Sequence, residues 1–215
     1  MRILPHAIIA AARRGSVSAS DVVGDTIATH GHPRAIIGAL AHAVALETAL
    51  TCRGTLGYGQ LIEVLLDART AWSTIPDEDS LPSEWLTGWT ANVSSGFEEV
   101  WSATVEEMVV LLQDARTGMS AGALSNDQDT LRKLGCTNSK TVGSGTISAA
   151  GAVFLASRSA ANPRAGLLSA AFLPKADTDT LASMTASLLA AVNGREWLSP
   201  LDGEVQDSAY LTQLG

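Results

Sequence analysis

The sequence predicts an all-α fold, a compact multi-helix bundle, on three observations. Apolar residues recur at intervals of three and four along most of the chain, the spacing that gathers them on one side of a helix. Residues that start and stop helices bracket those runs, among them Pro33, Pro163 and the pair Asn193-Gly194. No run alternates apolar with polar side chains in the manner of a half-buried strand.

Taken in order, Met1 to Arg14 holds a short apolar stretch, Ala7 to Ala12. A single Arg2 stands before Pro5 and His6, and Arg13-Arg14 follow the stretch, which is not the layout of a cleaved signal peptide. A helix is expected from Pro33, because proline suits a first helical position whose N–H has no partner in any case. Ile36, Ile37, Leu40, Val44 and Leu50 follow at helical spacing through a run of alanines, the pattern of a buried, closely packed helix. Leu61, Ile62, Leu65 and Leu66 predict another, with Trp72 near its end and the polar, proline-bearing segment Ser73 to Ser83 as a loop. Phe97, Val100, Trp101, Val105, Met108, Val109 and Leu112 form a third stripe, and Glu98, Glu99, Glu106, Glu107 and Asp114 fall mostly off it and read as solvated.

Residues 117–145, rich in Gly, Ser, Asn and Thr, read as loop with one short helical turn near Thr130 to Leu134. Thr146 to Ala161 and Arg164 to Phe172 read as a helix pair broken at Asn162-Pro163. A last helix is expected from Thr178 to Val192, with Leu181, Thr185, Leu188 and Val192 on one face and Asn193-Gly194 as its stop. The apolar stretch Ile147 to Ala156 is shorter than the roughly 20 residues a membrane helix needs, so no membrane is expected and the protein reads as soluble.

At 215 residues and 46% hydrophobic content, with no shift in composition along its length, the chain is large enough to bury one substantial core. One domain is expected over residues 1–198, followed by an uninformative tail, 199–215. A formal charge of −8 and the lack of any Lys/Arg cluster argue against binding a nucleic-acid backbone. Cys52 and Cys136 stand apart and form no CxxC pattern, so neither a disulfide framework nor a zinc-thiolate site is indicated, and a reducing cytoplasm is expected.

Several groups of residues carry chemistry. Asp177-Thr178-Asp179-Thr180 opens the last helix with two carboxylates, each followed by a hydroxyl. Such hard oxygens suit Mg²⁺, and they equally suit a helix cap, where a side-chain oxygen takes up an unpaired N–H of the first turn. One cap needs one carboxylate, so the second is in surplus. Thr29-His30-Gly31-His32-Pro33-Arg34 places two imidazoles, a hydroxyl and a guanidinium at a helix mouth; capping with one functional histidine accounts for it better than zinc, for which no third ligand lies at a recognisable spacing. Gly143-Ser144-Gly145-Thr146 leads into a helix through glycines, compatible with phosphate approach to exposed N–H groups or with close helix packing; it lacks the Lys-Ser/Thr of a Walker loop. Trp85, Trp89 and Trp101 read as core or interface residues, since a base-stacking platform would come with basic partners.

On these residues the chain resembles the ADP-ribosylglycohydrolase family, also called DraG- or ARH-like, specifically its C-terminal portion. The likeness rests on Met1 to Pro5, on Thr29 to Ala35 with Gly38-Ala39, on Thr141 to Ala152, and on Ala176 to Ala182 continuing through Gly194. The last segment resembles the family's Gly-Gly-Asp-Thr-Asp-Thr-Ile-Ala motif and its small-residue helix. The resemblance implies an all-α fold and a magnesium site, one of two metals, with Asp177, Asp179 and Thr180 as ligands and Asp177 and Asp179 as the catalytic carboxylates. It further implies that His30 contacts or orients ADP-ribose, and that Ser144 and Gly145 lie near the ligand. The expected reaction is Mg²⁺-dependent cleavage of the glycosidic bond of an ADP-ribosylated protein or small molecule.

The chain departs from the family pattern in three ways. Nothing in it resembles the family's N-terminal Gly-Asp-x-x-Gly and Thr-Asp-Asp segments, which carry further metal ligands, and the Gly-Asn-Gly-x-x-Met-Arg loop is matched only from Met1-Arg2. Lys175-Ala176 stands where the family has glycines before the Asp-Thr-Asp-Thr run. A metal site incomplete in this chain is therefore expected, with carboxylates from a companion chain completing it and the isolated chain inactive. The alternative expectation is a non-catalytic binding or regulatory remnant of the same fold. Core surface left open by the missing portion would favour a companion or self-association.

Overall fold

In the computed structural model, residues 2–52, 56–77, 81–122, 125–201 and 204–214 are described. They contain no strand. The helices are α1 (Leu4–Ala12), α2 (Ala19–Ile27), α3 (Pro33–Thr51), α4 (Gln60–Asp67), α5 (Arg69–Ser73) and α6 (Ser83–Asn92). They continue with α7 (Phe97–Ser120), α8 (Asp127–Lys133), α9 (Gly145–Ser159), α10 (Pro163–Ala171), α11 (Thr178–Asn193), a 3₁₀ helix (Glu196–Leu201) and α12 (Ser208–Leu214).

α9 is the axis of the bundle. Small and apolar residues surround it on every side, and it is buried from Thr146 through Ser157, as a helix without a polar face must be. α3, α7, α10 and α11 pack around it. Phe154 of α9 and Trp72 of α5 are among the largest fully buried side chains, each worth about 1.5–3 kcal/mol relative to an exposed ring.

α3 begins as the sequence predicts, with Pro33 at its first position and His32 as its cap, and it buries Ile36, Ile37, Leu40 and Leu46. Among the described residues it is the one helix whose length and composition match a membrane span, yet 56% of that window is buried against other helices. Its contact with α9 is made by backbone. A Cβ on Gly38 would stand 2.3 Å from the carbonyl carbon and oxygen of Gly145, and one on Gly145 would stand 2.5 Å from the Arg34 carbonyl oxygen. Two glycines thus bring the N-terminal halves of α3 and α9 closer than any side chain permits.

The structure adds to the expected elements and corrects some of them. α1, α2, α6 and α12 form in segments that periodicity left unassigned. The segment 117–145 is less a loop than its composition suggests: α7 runs on to Ser120 and α8 fills Asp127–Lys133, capped by the Asn126 side chain. The acids of α7 are not uniformly solvated either. Glu106 pairs with Arg69, Asp114 with Lys133 at 2.9 Å, and Glu107 with Arg34.

Candidate active site

The Asp177 to Thr180 run forms the first turn of α11. Asp177 is its cap, and its Oδ1 accepts the Thr180 N–H at 3.5 Å. The side chains of Asp179 and Thr180 lie close enough to the same carboxylate to influence its charge. The contact with Asp179, then burial, raises Asp177 above the usual carboxylate range, while the same contact lowers Asp179. Two neighbouring carboxylates followed by hydroxyls are hard oxygen ligands of the kind Mg²⁺ accepts. The capping reading of the run is thus observed at Asp177, and Asp179 follows it in the first turn, leaving its carboxylate outside the cap.

The backbone leading into this turn has its own signature. Lys175 lies at φ +66, in the left-handed region, which costs a side chain-bearing residue about 1–2 kcal/mol. It occupies the place where the resembled motif has glycine, the residue that adopts this conformation freely.

Across from Asp177 lies the glycine loop before α9. Gly143 has φ +78, and a Cβ there would stand 2.9 Å from Asp177 Oδ2. Ser144 is the cap position of α9, but its hydroxyl does not cap the helix; it reaches Thr146 Oγ1 at 3.3 Å. The amides of the first α9 turn, Gly145 among them, thus receive no capping side chain from Ser144. A recess of about 10 Å³ behind Asp177, lined in part by Cys136, Gly143 and Ser148, holds one water at most. Any substrate must therefore approach from the exposed side, where Asp179 lies. The larger groove, about 850 Å³ between α5 and α7, contains none of the expected site residues.

The two histidines of the α2–α3 loop have separate tasks. His32 Nδ1 accepts the Arg34 N–H at 3.1 Å and caps α3, with its ring edge-on to Trp89 at 6.2 Å. Burial and the Arg34 charge lower its pKa against an opposing pull from Glu107. His30 is exposed, and its Nδ1 lies 2.8 Å from Thr29 Oγ1, which itself accepts from Arg2 at 2.9 Å. The Thr29 hydroxyl also reaches the Thr26 carbonyl at 3.5 Å, so this side chain ties His30 to Arg2 and to the end of α2. Neither histidine joins a metal cluster: among the described residues no group of three or more His, Cys, Asp or Glu is placed to hold an ion. Cys136 is no nucleophile either, since burial pushes its thiol up to about 12.

Sequence reasoning missed Glu107. Its carboxylate accepts from Arg34 Nε at 2.8 and 3.0 Å, from Arg34 Nη2, and from Thr146 Oγ1 at 2.7 Å.

Direct packing thus links Asp177 to the glycine loop, and that loop to α3; the structure gives no direct contact between His30 and either. The model of the family described as ADP-ribosylglycohydrolase matches residues 1–214. No curated protein and no solved structure matches the chain.

Proposed function

Because the chain belongs to the ADP-ribosylglycohydrolase family, we propose that it carries the α3–α9–α11 face of a site that hydrolyses the glycosidic bond of an ADP-ribosylated protein or small molecule. The observation that carries this reading is the packing of Gly143 against Asp177, which sets a glycine loop beside a pair of carboxylates. Asp177, Asp179 and Thr180 are the residues that would hold Mg²⁺, as their hard oxygens support. Mg²⁺ held by these residues would supply Lewis-acid polarisation of ribose hydroxyls and of the attacking water.

The chain's own groups do the rest. Asp177 and Asp179 supply negative charge and orient the reacting end of the substrate. His30 contacts and orients the ADP-ribose, and the Ser144 hydroxyl and Gly145 amide meet its polar oxygens. Three protein oxygens are fewer than Mg²⁺ takes, so water, substrate and further carboxylates would be needed beside them. A companion chain is the source of those carboxylates in this reading. Ile8 and Ile9 on α1, and separately Leu168 and Phe172 in and just after α10, are exposed apolar groups that such a companion or a second copy could contact.

The test is Mg²⁺-dependent release of ADP-ribose from ADP-ribosylated peptides, by the chain alone and with a candidate companion. Release only with the companion, and lost in Asp179→Ala, is expected. Robust release by the chain alone would overturn the need for a companion. Release that survives both Asp177→Asn and Asp179→Ala would overturn the site.

A further inference from the structure

We propose that Glu107 is a positioning residue for substrate binding, locking the histidine loop before α3 to the glycine loop before α9 through one carboxylate. The inference rests on the reading given under Proposed function, that His30, Ser144 and Gly145 meet the ADP-ribose.

Glu107 projects from the middle of α7, yet its partners lie at the starts of two other helices. Arg34 is the second residue of α3, four residues after His30. Its Nε and Nη2 both face the carboxylate, the fork geometry that fixes direction as well as distance. Thr146 follows Gly145 directly and is fully buried; its hydroxyl donates to Glu107 Oε1 at 2.7 Å. Having given its proton there, Thr146 Oγ1 accepts from Ser144 at 3.3 Å, so the chain of hydrogen bonds reaches the glycine loop itself.

Both oxygens are engaged by Arg34, and Oε1 also by Thr146, so the carboxylate is committed to holding these two segments. The helices it joins have no slack, because their backbones touch at Gly38 and Gly145. A shift of Arg34 on losing its partner must pass to the α3 mouth. A shift of Thr146 must pass to Ser144 and Gly145.

The experiment measures ADP-ribose binding to the full chain by calorimetry in Mg²⁺ buffer, with Mg²⁺ binding alone measured in parallel. Glu107→Gln and Thr146→Val are each expected to weaken ADP-ribose roughly ten- to hundredfold, the scale of misplaced binding groups. The double variant should lose no more than the worse single one, since both cut the same link. Thr146→Ser, which keeps the hydroxyl, should bind like the wild type, and Mg²⁺ affinity should be unchanged throughout, which general unfolding would not allow. If Glu107→Gln fails to fold, Thr146→Val and Arg34→Lys carry the test, because lysine cannot form the two-nitrogen fork. Wild-type binding with every variant equally tight would overturn the positioning role and leave the site intact. No binding by the wild type would overturn the site reading, and this inference with it.

Discussion

The Asp177 carboxylate packs directly on Gly143: a Cβ at Gly143 would stand 2.9 Å from Oδ2, and φ there is +78. Gly143→Ala therefore meets two obstacles, a left-handed backbone and the carboxylate itself. It is expected to destabilise the protein by about 1–2 kcal/mol and to displace Asp177. Urea unfolding measures the first effect, and Mg²⁺ titration of the folded fraction measures the second.

Capping and metal binding by Asp177 separate in two substitutions. Asn caps a helix about as well as Asp, whereas Ala loses the cap at a cost of about 1 kcal/mol. Asp177→Asn should thus keep the melting temperature and lose Mg²⁺ affinity, while Asp177→Ala loses both. Equal Mg²⁺ binding by Asp177→Asn and the wild type would return Asp177 to a cap alone.

Lys175 holds a conformation that glycine adopts without strain. Lys175→Gly should stabilise the chain by about 1 kcal/mol, seen as a higher urea midpoint with an unchanged slope. A loss of stability would mean that the lysine side chain contributes more than its backbone costs.

His42 gives the fold an acid limit. It is buried between α3 and α11, with Nε2 3.4 Å from Ser187 Oγ, and burial lowers its pKa from 6.5 to about 3. The folded protein keeps the ring neutral while the unfolded chain protonates it below about pH 6.5. The stability from this neutral ring is fully present above that pH and is lost as pH falls towards 3, by about 1.4 kcal/mol per pH unit. His42→Leu should flatten the profile across that window, measured by urea unfolding at stepped pH.

The elements that hold the site were largely legible in the sequence because each carries its own marks. Pro33 and the apolar spacing announced α3, the break at Asn162-Pro163 set α9 apart from α10, and Asp177 with Asn193-Gly194 bracketed α11. α6 left little trace, for its Trp85 and Trp89 are only half-buried and none of its residues is fully enclosed. Glu107 was misread as solvated because periodicity sees only one helix at a time. Its partners, Arg34 and Thr146, lie 73 and 39 residues away, and no local pattern encodes that pairing. The left-handed turn at Lys175 was hidden for a related reason, since a lysine gives no signal of positive φ.

The central claim is that Asp177, Asp179 and Thr180 form a cation half-site facing the glycine loop. Mg²⁺ titrated into the ¹⁵N-labelled chain tests it most directly, with the backbone amides of Gly143, Asp179 and Thr180 as reporters. The account predicts saturable shifts at those amides that disappear in Asp179→Ala while the rest of the spectrum is preserved. Unmoved amides at saturating Mg²⁺, or the same shifts in Asp179→Ala, would contradict it.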